Sequence, residues 1–114
     1  ALKQQVVVEN IAGAGGTIGS ARVASAPPDG HMLLLIHVSQ ATNPFLYPNL
    51  KYDVMKDFEP IGLVAELPSV FVARKQLAPQ SFAELIAYVK QNADKTTYAH
   101  AGVGSASHLC GLLF

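Results

Sequence analysis

The chain has 114 residues, with 8 acidic and 8 basic side chains, 50% apolar residues, 14% charged residues and one cysteine. This composition supports a packed core and is unlike that of a disordered segment. Zero net charge excludes a broad attraction to nucleic acid or to an anionic membrane, one cysteine excludes an internal disulfide, and no apolar run reaches the roughly 18 residues of a membrane span.

Taken in order, "QVVVEN" is β-branched and short, and predicts a strand from Val6 to Glu9. "IAGAGGTIG" follows as a glycine loop, and "GTIGSARVASA" predicts a helix starting near Thr17, with Thr17 as its N-cap. Ile18, Ala21 and Ala24 or Ser25 fall on one face of that helix. "PPDG" ends it, because proline cannot continue a helix and Asp-Gly makes a turn. "HMLLLIHV", His31 to Val38, is a continuous apolar run that suits a central parallel strand covered on both faces.

The stretch from Ser39 to Asp57 is rich in turn formers, with a short helix expected around Ala41 to Leu46. "FEPIGLVAEL" and "PSVFVARK" read as two strands parted by Pro68. "SFAELIAYVKQNA" is the clearest helix. Ser81 and Glu84 have the spacing of a capping box, and Phe82, Leu85, Ile86 and Val89 form its apolar stripe. "TTYAHA" predicts a strand, "GVGSAS" a second glycine-serine loop, and "SHLCGLLF" the start of a helix. The alternation of strands and helices predicts an α/β architecture with mostly parallel strands. The chain starts almost directly on a strand and stops inside an apolar pattern, so it is expected to be a piece of something longer. No segment resembles a signal peptide.

In open α/β sheets, ligands bind beyond the carboxyl ends of the strands. Three loops leave such ends here: Ala12 to Thr17, His37 to Asn43 and Ala101 to Ser107. Two are glycine-rich and lead into helices, whose first turns expose unpaired amides and the positive end of the helix dipole. With hydroxyl side chains beside them, they offer anion capture by neutral donors. The competing reading of any one such loop is a tight turn without a ligand.

Other chemistries fit less well. In "GAGGTIG", Gly13 and Gly15 match a dinucleotide fingerprint, but Ile18 takes the third glycine position. No lysine follows the loop as a phosphate-binding P-loop requires. "GVGSAS" has Ser107 where a nucleophile elbow needs glycine, and the Ser105–His108 spacing suits a helix cap more than a nucleophile and base. His31, His37, His100 and His108 lack metal-ligand spacing. Cys110, on an apolar helix face, reads as a packing residue, and Arg22, Arg74 and Lys75 as solvated charges.

The runs "VVVENIAGAGGTIGSARVASAPPDGHMLLL", "NPFLYPNLKYDVMKDFEPIGLVA", "SFAELIAYVKQN" and "TYAHAGVGSASHLCGLLF" resemble the periplasmic solute receptors of tripartite tricarboxylate transporters, the Bug-type receptors. The resemblance covers nearly the whole chain. It implies an α/β fold like that of type II periplasmic binding proteins, incomplete here, with residues 1–60 in a partial first lobe and 61–114 in a partial second lobe. It implies a receptor, not an enzyme, that binds a small carboxylate such as a tricarboxylate, a dicarboxylate or an acidic amino acid without a cofactor or metal. The receptor would deliver it in the periplasm to membrane permease subunits. By position, the implied ligand-binding residues are Gly15, Gly16 and Thr17; Val38, Ser39 and Gln40; and Ala101, Gly102, Gly104, Ser105 and Ser107. Ser105 and Ser107 are the preferred side-chain donors, and His108 is read as supporting the loop. Ile11 departs from a position where such receptors often carry a basic residue, and His37 from one where a small residue is common. The alternative is a fragment of a nucleotide- or phosphate-binding α/β enzyme. A partial fold is expected to leave apolar surface that the chain covers by self-association.

Overall fold

In the computed structural model, which describes residues 3–114, the regular elements are four helices and two short 3-10 turns. The helices are α1 (Thr17–Ala24), α2 (Ser39–Leu46), α3 (Phe82–Gln91) and α4 (Ala106–Leu113); the 3-10 turns are Ala14–Gly16 and Ala93–Lys95.

Each helix start has a local cause. Gly16, in the left-handed region at φ 90°, is the cap of α1, and Thr17 is the first helical residue. Thr17 therefore does not act as the side-chain cap expected from the sequence. A left-handed residue turns the chain into the helix directly, and that conformation favours glycine. α2 starts two residues earlier than its sequence suggests and keeps Pro44 within it. The ring removes one backbone donor, so the Gln40 carbonyl loses its helical partner, and the helix stops within a turn.

α3 carries the predicted cap in a modified form. The Ser81 hydroxyl accepts from the Glu84 amide at 3.3 Å, while the Glu84 carboxylate accepts from the Gln80 amide at 2.8 Å, one residue before the usual box partner. Leu85, Ile86 and Val89 are half-buried along its stripe, and Phe82 meets Phe114 at 5.8 Å between ring centroids. Phe71 completes this small cluster, 4.8 Å from Phe114. α4 is capped by Ser105, whose hydroxyl accepts from the His108 amide at 3.2 Å. The cap reading of the Ser105–His108 spacing therefore holds. Cys110 lies half-buried in α4.

Among the described residues no strand is formed. The segments read as strands (Val6–Glu9, His31–Val38, 58–67, 68–75 and 96–101) run without ladder partners. Many of their apolar side chains are exposed: Val7 is 80% exposed, Leu35 80%, Val64 79% and Val72 90%. A strand satisfies its amides and covers its faces only through neighbours, so strand-forming sequence alone does not produce a sheet. The radius of gyration, 18.2 Å, is well above the ~13 Å of a compact domain of this length.

The buried residues are mostly polar. Ser20, Ser39 and Asn43 are fully buried and Ser105 nearly so, and Tyr52 is the one large apolar residue buried among those described. These side chains stitch the helices together. Ser20 donates to the Gln40 side chain at 3.1 Å, joining α1 to α2. Asn43 donates to the Tyr52 phenol at 3.3 Å, and Tyr52 packs edge-on against Phe58. The Thr42 hydroxyl reaches the Gly104 carbonyl at 3.4 Å, tying α2 to the loop before α4.

Candidate functional site

The three loops singled out in the sequence meet at one cavity of about 520 Å³. The first loop contributes Ile11 to Gly16, the second His37, and the third Ala101, Gly102, Val103 and Ser105; Tyr47, just past α2, completes the lining. No charged side chain lines the cavity among the described residues, so any anion held there is held by neutral donors.

The first loop gets its shape from an unusual backbone. Gly13, Ala14, Gly15 and Gly16 follow one another with φ of 125°, 45°, 63° and 90°. Ala14 is a non-glycine residue in the left-handed region, a conformation that costs about 1–2 kcal/mol for an L-residue. The run coils the backbone tightly between the segment at Ile11 and α1. Gly15 brings it against the third loop: a Cβ there would lie 2.6 Å from the Val103 carbonyl oxygen and 2.9 Å from the Tyr47 hydroxyl. Tyr47 spans the gap, its phenol donating to the Val103 carbonyl at 3.0 Å across 56 residues of sequence.

The third loop is held from within. The Ala101 amide donates to the Ser107 hydroxyl at 3.0 Å, and the Ser105 amide to the Gly102 carbonyl at 3.1 Å. The Gly102 and Gly104 amides donate to the Nδ1 atoms of His100 and His108, at 3.1 Å and 3.2 Å. The hydroxyls of Ser105 and Ser107 lie 3.1 Å apart. One proton serves that bond, so the pair keeps one hydroxyl proton for another acceptor.

Of the residues named from the sequence, Gly15, Gly16, Ala101, Gly102 and Ser105 line the cavity. Thr17, Val38, Ser39, Gln40, Gly104 and Ser107 do not line it. Thr17 begins α1, and its amide caps the 3-10 turn by donating to the Ala14 carbonyl. Ser39 is fully buried at the start of α2, Gln40 is engaged by Ser20, Gly104 packs under Leu46 and Asn43, and Ser107 holds the Ala101 amide. Several amides expected to face a ligand already have protein partners, those of Gly16, Gly102 and Gly104 among them. The amides of Gly15 and Val103 have none among the described residues. Tyr47 and Val103 escaped the sequence reading. Tyr47 sat in a turn-rich stretch, and its distant partner Val103 left no local signal.

Arg22 of α1 pairs with Glu9 at 2.8 Å, and two carboxylates are perturbed in surface turns. The His31 amide on its carboxylate, with the imidazole beside it, holds Asp29 below the usual carboxylate range; the Met55 amide and then Lys56 do the same for Asp53. Neither residue lines the cavity.

The chain belongs to a family of transporter receptors: the family model described as "Tripartite tricarboxylate transporter family receptor" matches residues 1–113. The chain is 53% identical over 112 residues to the UPF0065 protein in the TAR-I ttuE-ttuC' intergenic region of Agrobacterium vitis, covering 98% of this chain and 32% of that protein. It is 41% identical over 110 residues to the UPF0065 protein in the tcbD-tcbE intergenic region of Pseudomonas sp. strain P51, covering 96% of this chain and 33% of the relative. To protein BugT of Bordetella pertussis it is 38% identical over 115 residues, covering 99% and 35%. The chain thus spans about a third of the length of the curated relatives it matches. No solved structure matches it significantly.

Proposed function

We propose that the chain is part of an extracytoplasmic solute receptor that binds a small carboxylate in the periplasm and passes it to the permease subunits of a tripartite tricarboxylate transporter. It acts as a carrier and not as an enzyme. The observation that carries this reading is the convergence of three sequence-distant loops on one cavity lined by neutral hydrogen-bonding groups. Family membership supplies the transporter context. In this reading the fold is an α/β periplasmic-binding-protein architecture. Residues 1–60 belong to the first lobe and 61–114 to the second, and the unpaired apolar segments are strands of its sheets.

The donors nearest to a ligand are the Gly15 and Val103 amides and the Ser105 hydroxyl, with His37 and Tyr47 on the wall. Each gives a neutral hydrogen bond, strengthened toward a charged acceptor. The site therefore grips a carboxylate without fixed positive charge, which suits a carrier that must also release its cargo.

Calorimetric titration of the whole protein with citrate, glutamate and a nucleotide tests the reading. Heat of binding with a carboxylate is the expected result; a nucleotide response with silence toward every carboxylate overturns it. Ser105→Ala is expected to weaken carboxylate binding by about 1 kcal/mol, the net worth of one neutral hydrogen bond. The same titration measures this, and unchanged affinity removes Ser105 from the site.

A further inference from the structure

His100 and His108 bracket the third loop and hold it in the same way. Each receives a backbone amide at Nδ1, His100 from Gly102 and His108 from Gly104. Their rings lie 4.7 Å apart between centroids, inclined at 49°. A ring nitrogen accepts a hydrogen bond only when it carries no proton, so each of these two bonds needs its ring's proton on Nε2. Tyr98 supports the pair: its ring lies 5.4 Å from that of His100, and its phenol donates to the His108 carbonyl at 3.4 Å. His108 is further fixed by its own amide on the Ser105 hydroxyl. The Tyr98 phenol, on the His108 carbonyl, and the Ser105 hydroxyl, on the His108 amide, are the polar side-chain groups bonded to the pair's backbone. No carboxylate is within ion-pairing distance of either ring among the described residues.

We infer that His100 and His108 are a matched pair of positioning residues that set the third loop through their Nδ1 acceptors, and that protonating the pair releases the Gly102 and Gly104 amides. Imidazoles change charge between pH 5 and 8. Protonation turns each Nδ1 from acceptor to donor, so the bond to the amide is lost outright. Two imidazolium charges this close also repel each other and push the rings apart. In the structure the pair occupies the amides on either side of Val103, whose own amide has no partner among the described residues. The inference concerns loop geometry and stands or falls independently of the identity of the ligand.

Nitrogen-15 NMR of the whole protein tests it. At pH 8 both rings are expected as the Nε2–H tautomer. From pH 8 to pH 5, protection of the Gly102 and Gly104 amides, corrected for intrinsic exchange, is expected to fall about fivefold or more. His108→Ala should lower Gly104 protection already at pH 8. In His108→Asn the side-chain oxygen takes the place of Nδ1, so protection should persist and no longer respond to pH. Should His108→Ala not fold, His100→Ala and His100→Asn ask the same question at Gly102. An Nδ1–H tautomer at either ring, or glycine protection that is unchanged down to pH 5, overturns the inference.

Discussion

Gly15 shows how one missing side chain can hold a site together. It sits at φ 63°, and any Cβ would strike the Val103 carbonyl and the Tyr47 hydroxyl. Gly15→Ala therefore combines a backbone penalty with a clash at the meeting of two loops. It is expected to destabilise the protein by about 1–3 kcal/mol. It should also lower carboxylate affinity, because Tyr47 and Val103 must move apart; thermal unfolding and calorimetry check the two effects. Asp29 gives a prediction in pH. Its carboxylate accepts the His31 amide at 2.9 Å, and this contact pulls it below the usual carboxylate range. A depressed carboxylate favours the folded turn above its unfolded pKa and loses that contribution as pH falls through its folded pKa. Exchange of the His31 amide is thus expected to stay protected near neutrality and to lose protection only in strongly acid solution; loss of protection already at pH 6 would contradict this.

At the level of the helices, Gly111 reverses an ordinary expectation. Glycine inside a helix is less stable than alanine by roughly 0.5–1 kcal/mol, so Gly→Ala commonly stabilises. In α4, however, a Cβ at position 111 would meet the Tyr98 ring, with its Cδ2 only 2.9 Å away. Gly111→Ala is expected to lower the melting temperature and to disturb Tyr98, which also supports His100. A rise in melting temperature would show that the ring swings clear. The helices were legible in the sequence where their signals are local. The Ser81–Glu84 spacing gave α3, and the Ser105 position gave α4. The cap of α1 was read one residue late, because a left-handed glycine displaced the hydroxyl residue beside it. The three loops of the site were legible as glycine- or hydroxyl-bearing junctions. Which of their amides would remain without partners was not, since His100 and His108 act through ring orientation, which no spacing rule encodes.

For the whole molecule, the main fact is exposed apolar surface. Val7, Leu35, Ile61, Leu67 and Val72 all stand in solvent, and the interior is dominated by serine and asparagine. Soluble monomers rarely leave so much contiguous apolar chain uncovered. The 114-residue chain by itself is expected to sediment as more than a monomer and to bind a hydrophobic dye; a compact monomer in sedimentation would contradict this. Pairing of the strand-like segments was not legible, because it depends on neighbours and not on the segments alone. The coil from Gly13 to Gly16 reaches further than its size suggests. Four successive residues take the torsional sense preferred by mirror-image amino acids. This corner of an all-L polypeptide therefore has the opposite chirality written into its path, and a D-alanine placed at position 16 by chemical synthesis would meet a backbone already suited to it.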